Sequence, residues 1–186
     1  MTVNGIPAPL LYVSSSQINA VTPFEVTIGT SGTLQITVNG APLSGFRVFA
    51  DAAAPEIFRN SDGSAAAINQ DGTVNSAANP AKVGSILSIW VTGVPQAGGI
   101  DGQMQTSAQP TFCGCWLQTF TPPPNAVSID YAGAAPGTVA GVTQINFEAP
   151  NQPSPLFLFL GVTSPPSNTP AVAGQTSNSA RIFVSP

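Results

Sequence analysis

The segment Gln144-Ile145-Asn146-Phe147-Glu148-Ala149-Pro150 repeats a pattern the chain carries once before, at Gln17-Ile18-Asn19-Ala20-Val21-Thr22-Pro23. A tyrosine precedes each copy, Tyr12 and Tyr131, and an apolar, strand-like run follows each. Each half then closes on a related triplet, Arg47-Val48-Phe49 and Arg181-Ile182-Phe183. Self-similarity constrains the fold more than any local pattern does, because one structural unit has to be built twice.

Local patterns say what kind of unit it is. Residues 33–38 alternate, with Leu34, Ile36 and Val38 on one face and Thr33, Gln35 and Thr37 on the other, the period of a half-buried strand. Residues 126–131 alternate again, which predicts Val127, Ile129 and Tyr131 pointing inward. Residues 84–93, with Ile86, Leu87, Ile89, Trp90 and Val91, form the strongest strand, and Trp90 is expected in the core. Asn4-Gly5 and Asn39-Gly40 are turn dipeptides, and Asn69-Gln70-Asp71-Gly72 reads as the turn of a hairpin between residues 64–68 and 73–75. Helical periodicity nowhere exceeds one turn. The expected class is all-β.

The unpatterned Ala52-Ala53-Ala54-Pro55 is the expected boundary, since the proline disfavours helix at the residue before it. It divides the chain into a partial β unit, 1–55, and a sandwich, 56–186, that opens with a hairpin region over 56–83. In register, the second unit has a preamble from about residue 84 to 125 that the first lacks, so the first is short of one or two leading strands. Unpaired strand edges are costly when buried and adhesive when exposed. Three repairs are open: the hairpin at 64–75 folds back into the gap, an upstream segment fills it, or a neighbouring molecule donates a strand. No basic region followed by an apolar run opens the chain, so no signal peptide is expected there. Because Met1-Thr2 falls just before what reads as mid-domain sequence, the chain is expected to be an excised fragment or the mature part of something longer.

Asn4-Gly5-Ile6-Pro7-Ala8-Pro9, Gln17-Ile18-Asn19, Pro23 and residues 32–38 resemble the later strands of an immunoglobulin-like IPT/TIG domain. The order of residues 67–80, Gly84, Thr92-Gly93, Tyr131-Ala132-Gly133, Ala135-Pro136-Gly137 and Gln144-Ile145-Asn146 is more specific. It is similar to an uncharacterised C-terminal domain family found in many copies in secreted proteins of soil bacteria. The resemblance spans nearly the whole chain and implies tandem Ig-like β-sandwiches and secretion; it brings no catalytic residues. Cys113-Gly114-Cys115 and Leu156-Phe157-Leu158-Phe159-Leu160 stand outside the pattern.

Charged residues make up 6% of the 186, with a net charge of −4, while 42% are hydrophobic. A surface so poor in charge is covered by Ser, Thr, Asn, Gln, Gly and Pro, a composition that suits extracellular β proteins. One lysine and three arginines are too few to neutralise a phosphate backbone, so no nucleic-acid partner is expected. No run approaches the roughly 18 apolar residues of a membrane helix, so no membrane insertion is expected.

Without histidine, the chain has no Ser-His-Asp or Cys-His machinery and lacks the commonest zinc ligand. Its eight acidic residues are scattered, and nothing pairs two of them across a cleft. Asn60, Asp62, Asn69 and Asp71 carry oxygens that suit Ca²⁺, but the spacing is that of ordinary turns. The expectation is no enzyme, no cofactor and no metal. Cys113 and Cys115 leave three readings: a bridge between themselves, free thiols, or bonds to other molecules, with bridging favoured in an oxidising compartment. Among the aromatics Trp90, Trp116, Tyr12, Tyr131 and Phe112, Trp116 is the candidate for an exposed ring stacking on a sugar. Residues 156–160 are apolar on both faces, which reads either as a central strand covered on both sides or as an interface. Gln17, Gln144, Asn19 and Asn146 are expected to bond backbone at a strand edge or turn. The expected function is a non-catalytic extracellular structural or adhesive module that self-associates by strand complementation or binds another extracellular protein. The alternative is a carbohydrate-binding accessory module.

Overall fold

The computed structural model describes residues 1–95, 100–108, 114–119, 125–152, 154–162 and 175–186. Phe112, Cys113, the prolines at 122–124 and parts of the 95–110 loop lie outside these residues. Among the described residues there is no helix, and the fold is all-β.

The first unit contains β1 (Thr2–Val3), β2 (Ile6–Pro7), β3 (Leu10–Val13), β4 (Ile18–Ala20), β5 (Ser31–Gln35), β6 (Thr37–Val38), β7 (Ala41–Pro42) and β8 (Phe46–Phe49). They form a sheet ordered β2-β1-β5-β8 and two separate ribbons, β3-β4 and β6-β7. The second unit contains β9 (Glu56–Ile57), β10 (Ala67–Asn69), β11 (Ala81–Lys82), β12 (Ile86–Thr92), β13 (Cys115–Thr119), β14 (Ala126–Val127), β15 (Ile129–Ala134), β16 (Thr143–Glu148), β17 (Leu156–Val162), β18 (Gln175–Thr176), β19 (Ala180–Ile182) and β20 (Val184–Ser185). One sheet runs β10-β12-β16-β15 with β9 also on β12; the facing one runs β14-β13-β17-β18 with β19 also on β17. Strands β11 and β20 pair in parallel.

The duplication is visible strand by strand. β13 lies between β14 and β17 as β1 lies between β2 and β5, and β17 carries β19 as β5 carries β8. The ribbon β3-β4 repeats β15-β16 down to its register: Tyr12 opposes Asn19 and Tyr131 opposes Asn146, each just after a bulge in the first strand. Among the described residues, no strand of the first unit corresponds to β9, β10 or β12. The first sandwich therefore lacks its leading strands. The hairpin at 64–75 does not fill the gap, because Ala67 and Asn69 of β10 pair with Ile89 and Leu87 of β12 in the second unit. That repair is excluded.

Burial follows from this difference. In the second unit Leu87, Ile89, Val91, Ile145 and Phe147 of one sheet meet Leu117, Leu156, Leu158, Leu160 and Ile182 of the other, all 0–1% exposed. Each such side chain contributes about 1.5–3 kcal/mol relative to exposure. The first unit's own cluster holds just Val3, Ala8 and Val26, with Ile6, Ala20, Leu34 and Val48 partly buried against it, while Leu10, Ile28, Phe46 and Phe49 stay exposed. Both Asn-Gly turns form as expected. Asn4 and Gly5 sit at φ 53° and 81°, Asn39 and Gly40 at 50° and 81°, the left-handed pair that a two-residue hairpin loop requires.

Four local expectations are corrected. Residues 156–160 do not form a strand covered on both sides: Leu156, Leu158 and Leu160 are fully buried, but Phe157 is 44% exposed and Phe159 half-buried, because only one sheet stacks on β17. Trp90 is half-buried on the outer face of β12, since Leu87, Ile89 and Val91 take the inner positions. Tyr131 is not aligned with Val127 and Ile129, because the bulge between Ile129 and Tyr131 shifts the alternation and turns Ala132 toward the core instead. The run 33–38 breaks at Ile36, whose carbonyl accepts from Leu43 N at 2.8 Å, and Val38 pairs with Ala41 in an exposed ribbon.

Candidate functional site

The repeated Gln-Ile-Asn places its side chains identically in both units. Gln17 Nε2 donates to Asn19 Oδ1 at 2.6 Å, and Gln144 Nε2 donates to Asn146 Oδ1 at 2.8 Å. The amides thus tie to each other along one face of the strand rather than to backbone, as had been expected. Their isoleucines point the other way, fully buried at Ile145 and half-buried at Ile18.

The two copies differ at their second edge. β16 pairs with β12 over six residue pairs, from Ile86↔Glu148 to Val91↔Thr143. Among the described residues, β4 pairs with β3 alone. Beside residues 17–22 runs a groove of about 700 Å³, whose far wall includes Phe58, Val94 and Val139. No Asp, Glu, Lys or Arg lines it.

A second feature lies on the outer face of β13 and β17. Trp116 opposes Gly161, its indole lying where a side chain at that position would be, and meets Phe159 edge-on, with centroids 5.6 Å apart and planes at 82°. Such pairs add about 0.5–1.5 kcal/mol beyond area burial. Phe157 continues the strip next to Arg181 on β19. Two of the expected interface residues, Phe157 and Phe159, therefore share a surface with Trp116, whereas Leu156, Leu158 and Leu160 belong to the core. Cys115, at the start of β13, is disulfide-bonded and packs against the core edge; Cys113 lies outside the described residues.

The acidic turns are self-satisfied. Asp62 Oδ1 accepts from Ser64 N and Oγ at 2.9 and 2.6 Å, and Asp71 Oδ1 accepts from Thr73 N and Oγ1 at 3.0 and 2.6 Å. The hydroxyl bonds, first among the causes, hold both carboxyls below the usual range. Arg181 reaches back to Asp62, meeting its carboxylate at 3.8 Å and its carbonyl oxygen. Among the described residues, no three His, Cys, Asp or Glu gather as metal ligands do.

Sequence reasoning missed the amides that fasten distant segments. Asn75, 2% exposed, donates to Asn69 Oδ1 and Phe183 O and accepts from Phe183 N. Asn178 clasps Ile57 through both N–H and C=O at 2.9 and 3.0 Å. Nothing local distinguishes these asparagines from turn asparagines. The chain matches no known protein family, and no curated protein or solved structure is significantly similar to it.

Proposed function

We propose that this chain is a non-catalytic structural or adhesive Ig-like module of the extracellular space, one that assembles with like modules by strand complementation. The observation that carries the reading is the contrast, among the described residues, between β16, flanked on both edges, and β4, flanked on one. The exposed Phe46 and Leu10 of the first unit support it, since each opposes a residue packed on the core, Leu34 and Ala20, and lies on the face that a completed sandwich covers. So does a surface with few charges to oppose edge-to-edge contact. The likeness to secreted soil-bacterial IPT/TIG-type domains belongs to the same proposal, which assigns no cofactor, nucleic acid or membrane insertion. Light scattering across a concentration series tests it, with electron microscopy for filaments. Growth of the particle with concentration is expected, and a monodisperse monomer throughout contradicts self-assembly.

The strip Trp116, Phe159 and Phe157 favours a second reading, carbohydrate binding, because half-exposed rings on a flat sheet face suit stacking on sugars. Binding on a glycan array that Trp116→Ala abolishes supports it; a silent array removes it.

A further inference from the structure

We propose that the open edge of β4 is the seat of a donated strand: an extended, uncharged segment with a branched apolar residue at every second position, running antiparallel to β4. The inference deepens the structural-module reading and rests on it. Its template is the second unit. There, backbone groups of alternate residues in β16 face β12, and beyond the strand end Ala149 N donates to Ser85 O at 2.8 Å while Gly84 N donates to Ala149 O at 2.9 Å. Through the repeat, Ile18, Ala20 and Thr22 stand where Ile145, Phe147 and Ala149 do. On the first unit's closed side, Gln17 O accepts from Ser14 N at 2.8 Å and Val21 N donates to Pro9 O at 2.9 Å. Backbone groups of a strand alternate in direction. Ile18, Ala20 and Thr22 therefore turn theirs away from β3, toward a side where no strand pairs with β4 among the described residues. Such a row of groups is a template for an added strand.

The register and chemistry of the occupant also follow from the template. On β16, Leu87 opposes Phe147, Ser88 opposes Asn146 and Ile89 opposes Ile145. A donor in the same register sets branched apolar residues against Ala20 and Ile18 and a small polar one against Asn19. Directly opposed side chains share a face, so the donor's apolar residues fall on the side where Ala20, like Leu34 and Val48, packs against the Val3, Ala8 and Val26 cluster. Ala20 replaces the fully buried Phe147, which leaves room for a donor residue larger than Leu87. The groove's uncharged lining fits an uncharged segment. β12 of a second folded copy is not the donor, since Leu87, Ile89 and Val91 are completely buried in their own sandwich.

A fluorescein-labelled synthetic peptide of residues 84–93, added to the full chain, tests the assignment. The expected result is saturable anisotropy together with slowed amide exchange at Ile18, Ala20 and Thr22. N-methylation of the peptide at the positions of Leu87 and Ile89 removes two backbone donors and should weaken binding about tenfold or more, without altering the protein. Absence of saturable binding, equal affinity of the N-methylated peptide, or protection that bypasses Ile18 and Ala20 overturns the assignment. If the chain polymerises yet ignores the peptide, the edge assignment falls and the module reading stands. If the peptide seats on β4 while the chain stays monomeric at all concentrations, the edge assignment stands and self-assembly falls.

Discussion

Gly161→Ala offers the sharpest test of the packing on the outer face of β17. A Cβ built there lies 2.0 Å from Cε2, 2.1 Å from Cζ2 and 2.6 Å from Nε1 of Trp116, far inside the roughly 3.5–4 Å of a relaxed carbon contact. The half-buried indole has to swing outward. It then loses its seat, on the order of 100 Å² or about 2.5 kcal/mol, and its edge contact with Phe159, about 1 kcal/mol. Against that, alanine in a strand gains about 0.5–1 kcal/mol over glycine. The net expectation is a loss of about 2–3 kcal/mol. In a Trp116→Ala background the obstruction is gone, so the same substitution should stabilise by about 0.5–1 kcal/mol. The sign reversal, a coupling of about 3 kcal/mol between two residues in contact, is what a double-mutant cycle isolates. Urea unfolding followed by far-UV circular dichroism reads it without relying on the removed tryptophan. Equal costs in both backgrounds would refute the account of glycine as the indole's seat.

Three further outcomes follow from the same structure. Leu158→Ala should cost about 2–5 kcal/mol and its neighbour Phe157→Ser less than about 1 kcal/mol, as measured by urea unfolding; similar costs at both positions would contradict a strand buried on one face only. Asn75→Ala should cost about 2–4 kcal/mol, because it strands Phe183 N and Asn69 Oδ1 in the interior, and a thermal melt unchanged within error would count against that network. The lowered carboxyls of Asp62 and Asp71 make their turns most stable above the unfolded value of 3.8, with that contribution lost as pH falls through their lower folded values. Acid-induced opening of these hairpins, followed by amide exchange from pH 5 downward, should flatten in the Asp62→Asn, Asp71→Asn double variant.

How much was legible in the sequence depended on the range of the interaction that decides each feature. Asn4-Gly5 and Asn39-Gly40 announced their turns because two residues with positive φ settle the geometry by themselves. The inward positions of Val127 and Ile129 were readable from alternation, which one stacked sheet enforces. Alternation failed wherever something outside the strand reset its parity: the bulge before Tyr131, the diversion of Ile36 to Leu43, and the uncovered outer faces that hold Trp90 and Phe157. Asn75 and Asn178 were illegible because their partners, Phe183 and Ile57, are more than a hundred residues away.

The duplicated Gln-Ile-Asn was legible because it encodes three things at once. Its amides tie to each other on one face, its isoleucine enters the interior on the other, and its asparagine meets a tyrosine just past a bulge. None of these depends on the strand's far edge. That is why the motif stays intact in the first unit although, among the described residues, no strand pairs with the far edge of β4, and why the position that does depend on the far side is Phe147 in one unit and Ala20 in the other. An edge with a small interior side chain and its local ties intact has room for an incoming strand. A decayed edge keeps the same local ties, because they do not depend on what lies beyond it. Replacing Ala20 by Phe separates the two: in an acceptor edge it should fill the donor's space and weaken the 84–93 peptide about tenfold or more, a cost of over 1.4 kcal/mol, whereas in a decayed edge it leaves peptide binding as it was.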